Sequence, residues 1–262
     1  MNEPFDLGDF LTEKAHYYNR PSFIPNDPVS IPHGFTKRQD IEIAGLFAAI
    51  LAWGQRKTII NKCLLLMDLM GNEPHHFVLS ASENDLQGLE GFKHRTFNDT
   101  DLLYFIHFLR HVYKSHDSLE SIFIGDGYDH QPNIEQALIN FYEAFIGLPE
   151  FPNRTKKHVQ NPLRNSACKR INMYLRWMVR KDDKGVDFGL WRHIHPRQLI
   201  CPCDLHVDRV ARRLGLIQRK QTDWKTALEL TDRLRAFNPE DPVLYDFALF
   251  GLGVEEKLAP IP

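Results

Sequence analysis

The sequence predicts an all-α fold of two helical lobes with a cleft. Apolar side chains recur at helical spacing through most of the 262 residues. Helix-opening signals precede several of these segments, and no two segments alternate in the way that paired, half-buried strands do. With 43% hydrophobic residues, the chain is long enough to bury one large core or two smaller ones.

The N-terminal half contains the first group of predicted helices. Thr36-Lys-Arg-Gln39 matches a capping box ahead of an apolar helical segment. Trp53-Gly54-Gln55 interrupts that helix, and Asn98-Asp99 opens an amphipathic one. The predicted helices of this half cover residues 41–51, 58–70, 102–109 and 134–146.

The C-terminal half contains the second group. Asn161-Pro162 joins a capping residue to a proline suited to the first helical turn, which predicts a helix from Pro162 to Arg180. The stretch from Gly185 to Pro196 is predicted to be irregular, and Glu150–Gln160 to be a mobile loop or a lobe boundary. Further helices are predicted after Asp204, over 222–237 and over 241–252.

Composition argues against a membrane or secreted protein. The N-terminus is acidic, unlike a secretion signal, and the longest dense apolar run, Ile43–Trp53, is shorter than the roughly 20 residues that span a bilayer. Four cysteines do not make a disulfide framework in a chain of this length. Cys201-Pro-Cys203 is either a metal or redox pair or two half-buried thiols. We expect a cytoplasmic monomer.

Charge is distributed unevenly although the net charge is only -2. Residues 154–220 hold 17 Lys or Arg against 5 Asp or Glu, whereas the other residues hold 15 against 29. This basic block is either a surface for a polyanion or a set of solvated faces.

A lysine and an aspartate within this block are the main candidates for chemistry. Lys169 lies on the predicted helix opposite its apolar stripe, with Met173, Arg176 and Arg180. That side is a solvated basic face unless a cleft covers the lysine, because desolvation and nearby cations make an amine nucleophilic. Asp204 is either a plain N-cap or a carboxylate that stabilises a developing cation.

Longer motifs around these residues resemble one enzyme superfamily. Asp204-Leu-His-Val-Asp-Arg-Val-Ala-Arg-Arg-Leu-Gly resembles the aspartate segment of the endonuclease III superfamily. SACKRINMYLRWMVR, Ser166–Arg180, resembles the lysine helix of archaeal 8-oxoguanine glycosylases, and Asp40–Lys62 and Gly91–Arg110 are similar to earlier helices of the superfamily. Across residues 40–253 the chain most resembles an uncharacterised bacterial family of these helix-hairpin-helix DNA glycosylases, with residues 1–262 forming one domain of two lobes.

The resemblance implies base-excision repair of double-stranded DNA by a glycosylase with AP-lyase activity, without a metal or other cofactor. Lys169 would attack the sugar C1′ to form a Schiff base, and Asp204 would stabilise positive charge on the sugar. Gln55 would fill the gap left by the extruded base. The residues implied to hold phosphates are Arg56, Lys57, Arg170, Arg176 and Arg209, and those implied to line the base pocket are Trp53, Met173, Asp246 and Phe250.

Two departures from the superfamily pattern concern DNA contacts. The usual hairpin Leu-Pro-Gly-Val-Gly-x-Lys is missing, so the phosphate-binding hairpin is either atypical or built from Gly185–Pro196. Asp246 and Phe250 match the spacing of a purine-recognising Asp and Trp, with Phe replacing Trp. They are equally well explained as a helix N-terminal acid and a core aromatic, which leaves oxidised purine as one lesion among several.

Two other functions remain open at this point. A DNA-binding protein of the same fold without catalytic activity would also explain the basic block. A metal hydrolase is suggested by His107 and His111, which are four residues apart on a helix, but the sequence supplies no third ligand for them. His193, His195 and His206 likewise lack obvious co-ligands.

Overall fold

The computed structural model describes residues 5–125 and 128–254, so the predicted domain over 1–262 extends beyond the described residues at both ends. The described chain is helical apart from its loops, 3-10 turns and one short antiparallel hairpin, which confirms the all-α class. Contacts between Cα atoms divide it into two compact units.

The first unit comprises residues 5–23, 131–134 and 162–254. Its core contains the fully buried Tyr174 and Trp177. Gly251 lies against the Tyr18 ring, where an added Cβ would be 2.3 Å from Cδ2, so this close helix packing requires glycine. Its helices are α1 (Leu7–Tyr18), α9 (Lys169–Val179), α10 (Leu205–Arg213), α11 (Trp224–Arg235) and α12 (Tyr245–Val254).

The second unit comprises residues 24–125, 128–130 and 135–161. Its core is a cluster of phenylalanines, in which the Phe145 ring lies 4.7 Å from the Phe105 ring and 5.0 Å from the Phe108 ring, measured between centroids. Its helices are α2 (Arg38–Ile50), α3 (Arg56–Leu69), α4 (Pro74–Ser80), α5 (Glu83–Gln87), α6 (Asp99–Tyr113), α7 (Glu120–Phe123) and α8 (Glu135–Ile146), and its hairpin pairs β1 (Lys93–His94) with β2 (Phe97–Asn98).

Helix boundaries agree with the sequence at some caps and differ at others. Asn98 is the N-cap of α6, which confirms the predicted start of this helix, and it forms a capping box with Asp101. The predicted box at Thr36 is wrong, because Lys37 is the N-cap of α2 and makes no capping side-chain bond. Gln39 is unavailable to complete the box, since its amide donates to the Asp117 carbonyl oxygen.

The largest difference is the start of α9, which begins at Lys169 rather than at Pro162. Only a 3-10 turn forms over Pro162–Arg164. Asn165 and Cys168 then adopt φ values of 54° and 51°, a left-handed conformation that a right-handed helix excludes. Leu163, predicted to lie on the apolar stripe, is consequently 66% exposed.

The basic stretch over 150–160 is anchored within the second unit. It forms a 3-10 turn, Asn153–His158, against the buried carboxylate of Asp101. Arg154, Thr155 and His158 each place a polar side-chain atom 2.7–3.1 Å from that carboxylate. The stretch also ends where the unit boundary falls, between Asn161 and Pro162.

No helix among residues 5–125 and 128–254 has the length and apolar character needed to cross a membrane.

Candidate active site

Lys169 is the first residue of α9, and the preceding turn places it there. The Cys168 backbone N–H donates to Ser166 Oγ at 3.1 Å, and the left-handed residues Asn165 and Cys168 redirect the chain into the helix. The Lys169 side chain is 25% exposed. Its position at the positive end of the α9 dipole differs from the mid-helix position predicted from the sequence.

Asp204 is the N-cap of α10, and its two carboxylate oxygens have different partners. Oδ1 accepts from the backbone N–H groups of His206 and Val207 at 2.8 and 2.9 Å. Oδ2 lies 3.9 Å from Lys169 Nζ, and the side chain is 17% exposed. The backbone bonds hold the carboxylate in one orientation and confirm the N-cap, whereas the stabilisation of a developing cation by this residue stays a prediction.

The expected proximity of the amine and the carboxylate is therefore confirmed. The 3.9 Å separation of Lys169 Nζ from Asp204 Oδ2 exceeds the 2.7–3.2 Å typical of N–H···O hydrogen bonds. The amine is thus paired by charge without a direct hydrogen bond to this carboxylate. Both side chains are partly exposed, so the pair is accessible from solvent.

Asp246 lies behind this pair and is buried. Its carboxylate accepts a hydrogen bond from Arg176, and its Oδ1 is 3.9 Å from Cys201 Sγ. Burial raises the pKa of Asp246 to about 6, the Asp204 charge acts in the same direction, and Arg176 and Lys169 oppose them. Asp246 therefore belongs to the buried charge network, which contradicts its predicted place in the wall of a base pocket.

Arg176 is likewise wrong as a predicted phosphate contact. It is 4% exposed, and its Nε lies 3.2 Å from the Asp187 carboxylate in addition to the bond with Asp246. One turn further, Arg180 pairs with Asp187 at 3.1 Å and with Asp182 and Asp241 at 2.7 and 2.8 Å. Arg176 and Arg180 are therefore internal, and these guanidinium groups are not available for contact with DNA.

Asp187 and Asp241 are partners of these arginines that were not predicted from the sequence. The available signal was weak, because Asp187 is one of only 5 acids in the basic block and Asp241 lies outside it. Charge spacing along the chain does not show which carboxylates fold back onto a helix.

The other predicted residues of the first unit remain near the surface or beside the pair. Arg209 is exposed on α10, and Arg170 is half-buried, where burial lowers its pKa to about 10. Phe250 is half-buried, with its ring 6.3 Å from that of His206. Met173, one turn along α9 from Lys169, is 9% exposed, which leaves it little surface for a ligand.

The remaining predicted residues form a contiguous group in the second unit. Gln55 is the exposed N-cap of α3, and Arg56 and Lys57 follow in its first turn. Trp53 is half-buried with the Arg95 guanidinium 4.7 Å from its ring centroid. Gly54 permits this turn, since its φ is +114°. Their roles on DNA remain predictions.

The Gly185–Pro196 stretch contacts the end of α9 opposite Lys169. Phe188 N–H donates to the Trp177 carbonyl at 2.8 Å, and Trp191 N–H to the Met178 carbonyl at 2.9 Å. An 11-residue helix is about 16 Å long, so this stretch contacts α9 far from Lys169, and its role as a phosphate-binding hairpin stays a prediction. The turn that contains Asn165 and Cys168 lies directly before Lys169.

The histidine and cysteine candidates form no metal site among the described residues, where no group of three or more His, Cys, Asp or Glu side chains is placed to hold a metal ion. His107 and His111 are exposed on α6. Cys201 and Cys203 are buried free thiols, and burial raises the pKa of Cys203 to about 12. A protonated thiol is a poor metal ligand.

Comparison with known proteins gives a family. A family model described as a protein of unknown function (DUF2400) matches residues 27–255. The chain belongs to the DUF2400 family. The matched residues include the Lys169–Asp204 pair, Asp246 and Gln55, whereas α1 precedes them. Searches of curated proteins and of solved structures gave no match.

Proposed function

We propose that this DUF2400 protein is a base-excision DNA glycosylase with AP-lyase activity. The observation that supports it most is the 3.9 Å separation of Lys169 Nζ from Asp204 Oδ2, with both side chains accessible. An amine beside a fixed carboxylate suits attack on a sugar carbon that becomes positively charged. The sequence resemblance to helix-hairpin-helix glycosylases supports the same chemistry.

In the proposed reaction, the unprotonated Lys169 amine attacks C1′ of the damaged nucleotide. A bond forms between Nζ and C1′ as the glycosidic bond breaks, and the base departs with the bonding electrons and takes up a proton. Asp204 offsets the positive charge that develops on the sugar, and the lost amine protons pass to it or to water. The C1′–O4′ bond then breaks and O4′ takes up a proton, which opens the sugar and leaves a Schiff base between Nζ and C1′. Loss of a C2′ proton to Asp204 or to water then drives β-elimination, which breaks the C3′–O bond so that the 3′ phosphate leaves.

The damaged base must leave the duplex before this attack, because the sugar carbon is screened within the stack. Phe250 and His206, beside Asp204, are the side chains best placed in the first unit to contact the extruded nucleotide. Asp246 does not contact it in this proposal, since its carboxylate is buried against Arg176. In this proposal the lesion is therefore recognised by groups other than the aspartate that occupies this position in the archaeal enzymes.

Borohydride trapping tests the proposal. A panel of duplexes, each with one lesion or one abasic site, is incubated with the protein and reduced, and covalent complexes are counted. We expect the wild type to be trapped and Lys169→Gln to lose trapping. Lys181→Gln is the matched control, since this exposed lysine lies just beyond the other end of α9.

The outcomes separate the alternatives. Undiminished trapping in Lys169→Gln would remove this lysine from its proposed role. Base release that needs hot alkali to cleave the strand would indicate a glycosylase without lyase activity. Binding of damaged duplexes without base release from any of them would favour a non-catalytic DNA-binding protein.

A further inference from the structure

The segment Trp191–Gln198 of the first unit, here called the basic turn, exposes only basic and histidine side chains at its surface positions. Trp191, Ile194 and Gln198 are buried. No Asp or Glu occurs anywhere between residues 188 and 203. The exposed residues of the turn are Arg192, His193, His195 and Arg197.

The backbone of the basic turn is fixed at both ends. Trp191 donates its N–H to the Met178 carbonyl at 2.9 Å, and its ring packs on Tyr174 with centroids 5.4 Å apart. At the other end, the Gln198 side chain accepts from the His195 N–H and donates to the Gln131 carbonyl. A fixed cationic surface loses little conformational entropy when it binds a ligand.

The basic turn is a part of the basic block that remains at the surface. Elsewhere in the block, four arginines each form an ion pair with a carboxylate of the first unit at 2.7–3.2 Å: Arg176, Arg180, Arg212 and Arg219. Their charges are largely neutralised within the fold. The exposed arginines of the turn contribute to the field that an approaching polyanion meets.

We propose that the basic turn binds the sugar–phosphate backbone of duplex DNA on one flank of the Lys169–Asp204 site. Arginine suits this partner because its planar guanidinium group can donate two hydrogen bonds to one phosphate. The inference rests on the proposed function for its choice of DNA as the polyanion.

The distance along the chain allows one duplex to contact both places. Seven residue-to-residue steps along the chain lead from Arg197 to Asp204. Even when fully extended, they span at most about 25 Å, which equals about seven base-pair steps at 3.4 Å each. A duplex of roughly a dozen base pairs can therefore cover the turn and the site together.

The salt dependence of binding tests the contact. The logarithm of the affinity for an undamaged duplex is plotted against the logarithm of salt concentration for the wild type and for Arg192→Ala/Arg197→Ala. Each lost phosphate contact lowers the steepness of this line by about 0.9, so we expect a decrease of about 1.8. Arg192→Lys/Arg197→Lys, which keeps the charges, should retain most of the wild-type slope.

Lys220→Ala/Lys225→Ala is the matched control, because it removes the same charge at two exposed positions. Lys225 lies near the start of α11, whereas Arg235 at its end donates to the Arg197 carbonyl. These two positions of α11 are about 15 Å apart. The control should keep the wild-type slope, which distinguishes a local contact from a change in net charge.

Equal slopes in the turn variant and the control would overturn the proposal. Tighter, arginine-dependent binding to duplex RNA would overturn the choice of DNA. Base excision is measured separately, at saturating protein. If the slope falls as expected and the wild type excises no lesion, the basic turn binds DNA and the glycosylase proposal is wrong. If the wild type excises a lesion and the slope is unchanged, the proposed DNA contact of the basic turn is wrong and the glycosylase proposal is supported.

Discussion

The two ends of α9 hold the same kinds of charged side chain in opposite circumstances. At the N-terminal end, Lys169 is partly exposed and lies 3.9 Å from one carboxylate. At the C-terminal end, Arg176 and Arg180 are at most 5% exposed and form several close ion pairs. A guanidinium buried among carboxylates is committed to the fold, whereas a loosely paired, accessible amine is available for a reaction.

This difference shows that charge alone does not identify a functional residue. The sequence places Lys169 and Arg176 seven residues apart, on what it predicts to be one basic side of one helix. In the structure, the onset of the helix and the folding back of residues 182–187 give the two residues different surroundings. Substitutions in the buried network at the C-terminal end should therefore affect stability, whereas substitutions beside Lys169 should affect activity.

The largest expected effect is on stability, from Arg176→Met. The substitution keeps an apolar stem but leaves the Asp187 and Asp246 carboxylates buried without this cation. Removing one partner of a buried ion pair destabilises a protein by about 3–5 kcal/mol. Urea unfolding followed by circular dichroism measures the loss.

Arg209→Met is the comparison for that experiment, because Arg209 is exposed on α10. An exposed substitution of this kind changes the free energy of unfolding by about 0.5 kcal/mol or less. Similar stabilities for the two variants would show that the buried network contributes nothing to the fold. They would contradict the claim that the arginines at the C-terminal end of α9 have a structural role.

The next effect is on activity, from Asp204→Asn. Asparagine caps helices as well as aspartate does, so the bonds to the His206 and Val207 N–H groups can persist and stability should change by less than about 0.5 kcal/mol. The negative charge beside Lys169 is lost, and we expect single-turnover base excision to slow about 10²–10³-fold.

Asp208→Asn is a useful control for this loss, because Asp208 is on the same helix and pairs with Arg212 at 2.8 Å. We expect it to retain excision while losing some stability. A wild-type excision rate in Asp204→Asn would show that the carboxylate acts only as a helix cap.

The sequence was sufficient for the features that depend on local chemistry. Helical periodicity predicted the all-α class, Asn98 and Asp204 predicted two caps, and Trp53-Gly54-Gln55 predicted the break between α2 and α3. These signals depend on side chains within a few residues of one another, so no tertiary information is needed.

Features that depend on the tertiary fold were not predicted. The start of α9 depends on the left-handed conformation of Cys168, which is unusual for cysteine. Burial of Arg176 depends on Asp187 and Asp246, and the latter is 70 residues away. Proximity of Lys169 and Asp204 was predicted from the resemblance, since no rule of spacing relates residues 35 positions apart.

The smallest expected effect is a dependence of stability on pH, caused by Asp246. In the network of Arg176 and Arg180, four carboxylates share two guanidinium groups: those of Asp182, Asp187, Asp241 and Asp246. The excess of acid over base fits the raised pKa of Asp246, which burial moves from an ordinary value of 3.8 to about 6. Burial likewise raises the pKa of Asp241.

A carboxyl group with a higher pKa in the folded chain binds its proton more tightly there than in the unfolded chain. The contribution of Asp246 to the free energy of unfolding is therefore greatest below about pH 4 and falls by about 2 kcal/mol as pH rises from 4 to 6. Asp246→Asn should remove this part of the decline, whereas Asp183→Asn, at a side chain that is 83% exposed, should leave it unchanged. Urea unfolding at pH 4, 5, 6 and 7 measures the slopes. Parallel curves for the wild type and Asp246→Asn would mean that the pKa of Asp246 is not raised in the folded chain, so that Arg176 and Lys169 together offset the cost of burying its charge.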